Sequence, residues 1–350
     1  MNRGSKSALR FSRIALLGLT VAAFLILGAG QASAHTPKPK QNVTCGQVIT
    51  HNTHVKNDLT DCPGDGLVIG ASNIRVDLGG HTVDGVNTGD GINNTGGFDN
   101  VTVRHGTIQQ FHNGVELTNA DGNNLNRLKV TQNPFDGIRL TGSNNNKIGH
   151  VRESSSFDGI FLVNSDHNRI THSRANGNGS SGIVLQFLND FNKVDHNVAH
   201  DNGAWGLTSD GSHNDTYTHN WLFKNGTAGL EPFNGVSLSV TKNTLTKNGV
   251  GILFFNTDTS LLKGNNTRLN TSDGIQTDSA STGNQLVKNH SNKNGHDGVH
   301  VAGAGNTITK NHADKNVNLG IFALAGNTDG GGNTAHLNGN ALQCSGVVCH

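Results

Sequence analysis

A glycine followed by an aliphatic residue recurs along most of this chain, and no other feature restricts its folding so sharply. Gly66, Gly91, Gly114, Gly137, Gly159, Gly182, Gly206, Gly229, Gly251, Gly274, Gly298 and Gly320 are each followed by Leu, Ile or Val, and from Gly114 onward they lie 22 to 24 residues apart. A repeat of that length cannot bury an apolar face alone, so successive copies must stack. Short alternating stretches such as Gly137-Ile138-Arg139-Leu140 and Asn146-Lys147-Ile148 fit several strands per repeat rather than a helix. The repeat also lacks the Leu-x-x-Leu-x-Leu register of leucine-rich proteins and is shorter than a propeller blade. The predicted fold is therefore all-β, a right-handed parallel β-helix of about twelve coils, roughly 55 Å long at ~4.8 Å per coil. With 47 Gly and only 5% aromatic residues, its core has to be built from one layer of aliphatics per coil.

A second pattern runs in step with the glycines. Asn197, Asn220, Asn243, Asn266, Asn289, Asn311 and Asn333 form one column, and Asn202, Asn225, Asn248, Asn294, Asn316 and Asn338 form another. Asparagine tolerates left-handed backbone angles, and its amide can bond to the same residue one coil away, so these columns read as corner ladders. The rod also constrains the four cysteines, for which sequence alone allows three pairings. Cys45 and Cys62 precede the first coil and Cys344 and Cys349 follow the last, so a cross-pairing would have to span the rod. Local bridges Cys45–Cys62 and Cys344–Cys349 are expected, each capping an exposed sheet edge.

The N-terminus carries Arg3, Lys6, Arg10 and Arg13, an apolar run from Ile14 to Ala29, and the triplet Ala32-Ser33-Ala34. This is the layout of a secretory signal peptide cleaved before His35, with a retained anchor as the alternative. The expected organisation is a signal peptide at 1–34, an exposed lead-in at 35–44, an N-terminal cap at 45–65, the β-helix at 66–340 and a C-terminal cap at 341–350. A secreted monomer follows, free of the membrane once cleaved, and disulfides suit that compartment. A net charge of +1 names no partner, and no nucleic-acid motif or phosphate-binding loop is present.

The segments Val76-Asp77-Leu78-Gly79-Gly80-His81-Thr82-Val83-Asp84-Gly85 and Asn100-Val101-Thr102-Val103-Arg104-His105-Gly106-Thr107-Ile108, followed by the Gly-Ile coils, resemble the pectin-lyase-like right-handed β-helix superfamily. The likeness runs from Cys45 to Cys349. It implies the fold and a spread of activities: polysaccharide lyases, hydrolases and epimerases, adhesins, and a periplasmic copper-associated protein. Of the four polygalacturonase motifs only Asn256-Thr257-Asp258 is present, and the pectate-lyase and mannuronan-epimerase motifs are absent, so no catalytic residue carries over.

Candidate chemistry must come from places where the repeat breaks its rule. The inward residue three after the glycine is Leu117, Leu140, Leu162 and Leu185, then Ser209 and Pro232. Proline cannot donate to a ladder, so the strand after Gly229 is expected to be cut short or bulged. Asp210 and Glu231 point outward there as diagonal neighbours, roughly 7 Å apart, a spacing suited to an acid and a base in glycoside cleavage. Trp205, Phe187, Phe233 and Phe255 are expected to stack on sugar rings. A second cluster pairs Asp136 and Asp158, a candidate Ca²⁺ site, with Arg139 as the candidate base of an elimination; the competing reading is Asp-Gly turn chemistry. His172, His196 and His219 form a column continued by Lys242, Lys288 and Lys310, and Lys224, Lys247, Lys293 and Lys315 form another. Stacked histidines suit copper or zinc, while the basic columns suit an acidic polysaccharide. The sequence points to a carbohydrate-active or carbohydrate-binding protein acting on such a polymer, with a non-catalytic surface module and a copper-associated protein as alternatives.

Overall fold

In the computed structural model, residues 40–350 are described; the expected signal peptide and most of the lead-in lie outside them. Every described regular element is a β-strand, and no described helix is long and apolar enough to cross a membrane. Fourteen strands, from Gln47–Ile49 to Cys344–Ser345, stack in parallel as one sheet, the Gly-Ile sheet, giving about thirteen turns. Each coil then passes through a second strand, such as Lys193–Asp195, and a third, such as Val198–His200, which stack in the same way. Near the start of the rod, Thr102–Gln109 and Asn124–Thr131 run through both of these legs without a break. Leu67, already paired with Ile92, sits against Gln47 of the segment expected to be a cap, so the sheet begins inside that segment.

The aliphatic column is the core. Ile138, Ile160, Ile183, Leu207, Leu230, Ile252, Ile275, Val299 and Ile321 are in direct register, each fully or nearly fully buried. The glycine before each is required by space. A Cβ on Gly229 would lie 2.7 Å from Asn248 Nδ2 and 2.8 Å from the carbonyl oxygen of Gly251, closer than atoms can approach, and the glycine's φ is not positive. These glycines thus sit in or immediately before the strands of the Gly-Ile sheet.

The corners belong to asparagine. Asn220 donates from its backbone N to Asn243 Oδ1 at 2.9 Å and from Nδ2 to the same oxygen at 3.1 Å, and the pattern repeats from coil to coil. The buried member next to Asn243 is Asn265, not Asn266, which is exposed. Two adjacent asparagines in a repeat whose length varies by a residue or two defeat counting. A further ladder, Asn123, Asn146, Asn168 and Asn192, lies at the turn after the Gly-Ile sheet. It ends on Asp215, whose Oδ1 accepts from Asn192 N at 2.6 Å and whose Oδ2 accepts from Tyr217 Oη at 2.9 Å. Tyr217 is fully buried in the same coils where Ser209 and Pro232 replace leucine, and it supplies bulk there.

Burial pushes the Asp215 carboxyl up to about 7 from its ordinary 3.8. The folded chain then holds a proton that the unfolded chain releases, so stability is lost as pH rises from about 4 to about 7 and the loss is complete above that range. Asp215→Asn removes this ionisation. It is expected to raise stability at pH 8 by an amount on the order of 4 kcal/mol and to change little at pH 4, measured by denaturant unfolding at the two pH values.

Pro232 does not shorten its strand, which runs regularly over Ala228–Phe233. Toward the following coil the pairs Ala228–Val250 and Leu230–Ile252 form, and pairing resumes at Phe233–Phe255 without a shift of register. The carbonyl of Pro232 still accepts from Phe255 N at 3.1 Å, so a missing donor costs only a local gap. Both disulfides form as expected, with Cα–Cα distances of 5.4 Å for Cys45–Cys62 and 6.1 Å for Cys344–Cys349.

Candidate functional site

The outer face of the Gly-Ile sheet is a set of columns, one residue per coil. Arg139, Phe161, Val184, Thr208 and Glu231 stand in one column, and Gln186, Asp210 and Phe233 in the next. Asp136 and Asp158 are paired in the column just before the glycines, which Trp205 occupies two coils further on. Together these side chains line one groove of about 650 Å³, walled by Phe135 and Phe157 on one margin. Two clusters that look separate in the sequence, Asp136-Asp158-Arg139 and Asp210-Glu231-Trp205-Phe233, therefore share a single site.

Glu231 and Asp210 are diagonal neighbours, because Thr208 is directly opposite Glu231 and Asp210 lies two residues further along that strand. The indole N–H of Trp205 donates to Glu231 Oε2, and Phe233 stacks on Phe255 with ring centroids 4.7 Å apart. Burial raises the Glu231 pKa, an effect the indole donor opposes by favouring the carboxylate. Asp210 accepts from Asn234 Nδ2 at 3.1 Å.

At the other end of the groove, Arg139 Nη1 bonds Asp136 Oδ2 at 2.8 Å. Its guanidinium lies over Phe161, 4.7 Å from the ring centroid, and nearer the margin over Phe135 at 5.7 Å. Asp158 accepts the backbone N–H of Ser181 at 2.9 Å. Burial pushes Asp136 up to about 6 in spite of its guanidinium partner, with the neighbouring Asp158 charge adding to the rise. One coil above Arg139, Glu116 is pushed up by burial to about 7 while accepting from Thr118 Oγ1 at 3.0 Å and Asn113 Nδ2 at 3.2 Å. Behind the sheet, buried Glu153 points inward against Gly137 and Gly159, where there are no β-carbons, and accepts from Asn178 Nδ2 at 2.8 Å. Burial lifts it to about 8.

Phe135, Phe157, Phe161, Glu116 and Glu153 were not picked out from the sequence. The phenylalanines sit at or near the glycine step on successive coils, a signal that a column-by-column reading of aromatics would have found. Glu153 replaces an inward residue, since it pairs with Val130 and Ala175, and only a complete inward column would have exposed it.

Other expected residues lie elsewhere. Phe187 occupies the turn after the Gly-Ile sheet in the left-handed region, φ 55°, and is not among the groove's lining residues. His172, His196 and His219, joined by His150, stack with centroids 4.7 to 5.3 Å apart at the corner between the second and third sheets. That corner does not border the Gly-Ile sheet, so the histidine column is separate from the groove. Face-to-face stacking sets successive imidazoles side by side, about one coil, ~4.8 Å, apart. Lys224 and Lys247 occupy the next corner, between the third sheet and the turn leading into the Gly-Ile strand; Lys224 lies 3.9 Å from Asp201.

Three parallel sheets wound in short coils, with an aromatic and acidic groove open on one of them, define a parallel β-helix protein. The sequence profile of the right-handed beta helix region matches residues 91–245 and 233–341, and the chain belongs to that family. Among solved structures, it is similar to the A-module of the mannuronan C-5 epimerase AlgE6 of Azotobacter vinelandii, with a TM-score of 0.56 and 12% identity over 88% of each chain. It is also similar to the Dettilon tailspike protein gp208, with a TM-score of 0.51 and 15% identity over 87% of this chain and 60% of that one. At these identities the likeness is one of fold. No curated protein matches the chain in sequence.

Proposed function

We propose that this is a secreted carbohydrate-active β-helix that takes an acidic polysaccharide into the groove of the Gly-Ile sheet and cleaves a glycosidic bond there. The observation that carries the reading is the pairing of Glu231, its pKa raised and its Oε2 held by Trp205, with Asp210 on the adjacent coil of an aromatic-walled groove. Glu231 and Asp210 stand on diagonal positions whose β-carbons are roughly 7 Å apart, and an acid and a base on either side of a bound sugar, with a water between base and anomeric carbon, is the arrangement of an inverting hydrolase. Glu231 is the proton donor and Asp210 the base. Trp205, Phe161 and Phe233 offer faces on which sugar rings stack. Arg139, held by Asp136 and Phe161, is a clamp for a uronate carboxylate. The two disulfides suit an extracytoplasmic protein, and the fold shared with a mannuronan C-5 epimerase module and a tailspike protein supports this reading.

The test is incubation of the purified chain with polygalacturonate, alginate and glycosaminoglycans, with and without Ca²⁺, the ion for which Asp136 and Asp158 are the candidate ligands. New reducing ends are expected. Binding in affinity gels without any product would instead assign a non-catalytic binding module, and neither binding nor product would overturn the proposal.

The carboxyls beside Arg139 set a pH dependence. Asp136 at about 6 and Glu116 at about 7 are ionised at pH 8 and take up protons as pH falls to 5, so the groove loses negative charge. Affinity for a uronan is then expected to rise about tenfold from pH 8 to pH 5, on the scale of one or two unit charges removed at a partly screened distance. Affinity for a neutral glycan should stay flat, and affinity electrophoresis across that range reads both.

A further inference from the structure

Further along the same sheet, beyond the groove, the coil of strand Val299–Val301 carries a second constellation. His296 Nδ1 lies 2.7 Å from Asp273 Oδ1 and 3.6 Å from Asp297 Oδ2, and His300 Nδ1 lies 2.8 Å from Asp297 Oδ2. One ligand atom from each of Asp273, His296, Asp297 and His300 falls within 4.8 Å of all the others. We propose that these four side chains form a binding site for a divalent transition metal of the zinc type, with two imidazole nitrogens and two carboxylate oxygens as ligands.

The carboxylates are fixed before any ion arrives. Asp273 Oδ1 accepts the backbone N–H of Asp297 at 2.7 Å. Asp297 Oδ1 accepts from Leu319 N at 2.9 Å and Asn318 Nδ2 at 2.8 Å, which leaves Oδ2 aimed at the histidines. Both aspartates are almost completely buried. Such outer hydrogen bonds orient ligating carboxylates and keep them from relaxing away. Tetrahedral ligands at ~2.0–2.2 Å from an ion lie roughly 3.3–3.6 Å apart, and the nitrogen–oxygen separations here bracket that range. Each imidazole–carboxylate hydrogen bond holds a proton where an ion would sit between the same two atoms. His300 is steadied by Phe322, whose ring stacks on it at 4.7 Å, whereas the half-exposed side chain of His296 is free to close the longer separations.

Comparison with the groove sharpens the assignment. Asp136 and Asp158 occupy the same slot in their coils as Asp273 and Asp297, and residue 139 stands three after its aspartate just as His300 does. In the groove that residue is Arg139, whose guanidinium already bonds Asp136. In the lower coils it is an imidazole, and a second imidazole, His296, precedes the aspartate. A set of four that includes two imidazole nitrogens favours zinc-like ions over Ca²⁺, which takes six to eight oxygens. The aspartates alone read as Asp-Gly turns in the sequence; the His-Asp-Gly-Val-His run over 296–300 is the signal that marks the site.

Calorimetric titration of the chelator-treated full chain with ZnCl₂, alongside the visible spectrum of the Co²⁺ form, tests the site. One equivalent of Zn²⁺ is expected, with the intense absorption of four-coordinate Co²⁺. His296→Ala and His300→Gln should each weaken binding at least tenfold, the second while keeping a hydrogen bond to Asp297, and circular dichroism should match the parent. His196→Ala should leave binding unchanged. Absence of Zn²⁺ binding, binding that survives the folded His296→Ala/His300→Gln double variant, or loss of binding in His196→Ala would overturn the proposal.

Discussion

Asn243→Leu is expected to destabilise the protein by about 3–5 kcal/mol, while Asn266→Leu, on an exposed residue of the next coil, changes stability by less than about 0.5 kcal/mol. The two asparagines follow the same apparent period, but only Asn243 is buried. Its Oδ1 accepts the backbone N–H of Asn220, and its Nδ2 donates to the carbonyl of Tyr217 at 2.9 Å and to Asn265 Oδ1 at 3.1 Å. A leucine fills similar volume and meets none of these groups. It orphans one backbone donor and one backbone acceptor in the interior, each at a cost of about 1–3 kcal/mol. Asn220 keeps its bond to the carbonyl of Val194 and Asn265 keeps the backbone N–H of residue 243, so the damage is confined to one corner. Denaturant unfolding of the two variants beside the parent measures the difference. Equal midpoints would mean that the ladder contributes nothing to stability.

The same pair explains what could be read from the sequence. The glycine column was legible because the clash it avoids, with the next glycine carbonyl and the next ladder amide, recurs in almost every coil and has one solution. The aliphatic residue after it and the two cysteine bridges followed from that ruler. Asn265 was missed because a coil of variable length places two asparagines side by side, and only hydrogen bonding decides between them. The groove was legible only in pieces. Asp136 and Glu231 are separated by nearly a hundred residues, and whether their coils share one face depends on accumulated register that spacing alone does not report. The basic columns were found by period, but the period does not say which corner they occupy; His172, His196 and His219 proved to lie at the corner away from the groove. Pro232 drew attention to coils that border the groove for a reason that failed, since its strand is regular. What distinguishes those coils is the polar core of Asp215 and Tyr217 behind them and Glu231 in front.

Glu231→Gln is expected to lower kcat on a polysaccharide substrate by 10²–10⁴-fold with little change in KM, the usual range for loss of a general acid. Glutamine keeps the acceptor that meets the indole N–H of Trp205, so the groove retains its shape and sugar stacking is undisturbed. What it lacks is a transferable proton. A glycosidic bond to a sugar alcohol needs that proton on its leaving oxygen in the transition state, whereas a phenol of low pKa departs without it. Activity on an activated aryl glycoside should therefore survive in Glu231→Gln and fall in Asp210→Asn, because the second variant loses the base that activates water in either reaction. Burial raises the Glu231 pKa, so the proton donor persists to higher pH than an exposed glutamate would allow, and the alkaline limb of the kcat profile should shift with it. Trp205→Phe removes the indole donor, which favours the charged form, so that limb should move further to alkaline pH while the aryl glycoside rate stays near that of the parent. Equal losses on both substrates in Glu231→Gln would assign this residue a positioning role instead, and no loss in either would move the chemistry out of this end of the groove.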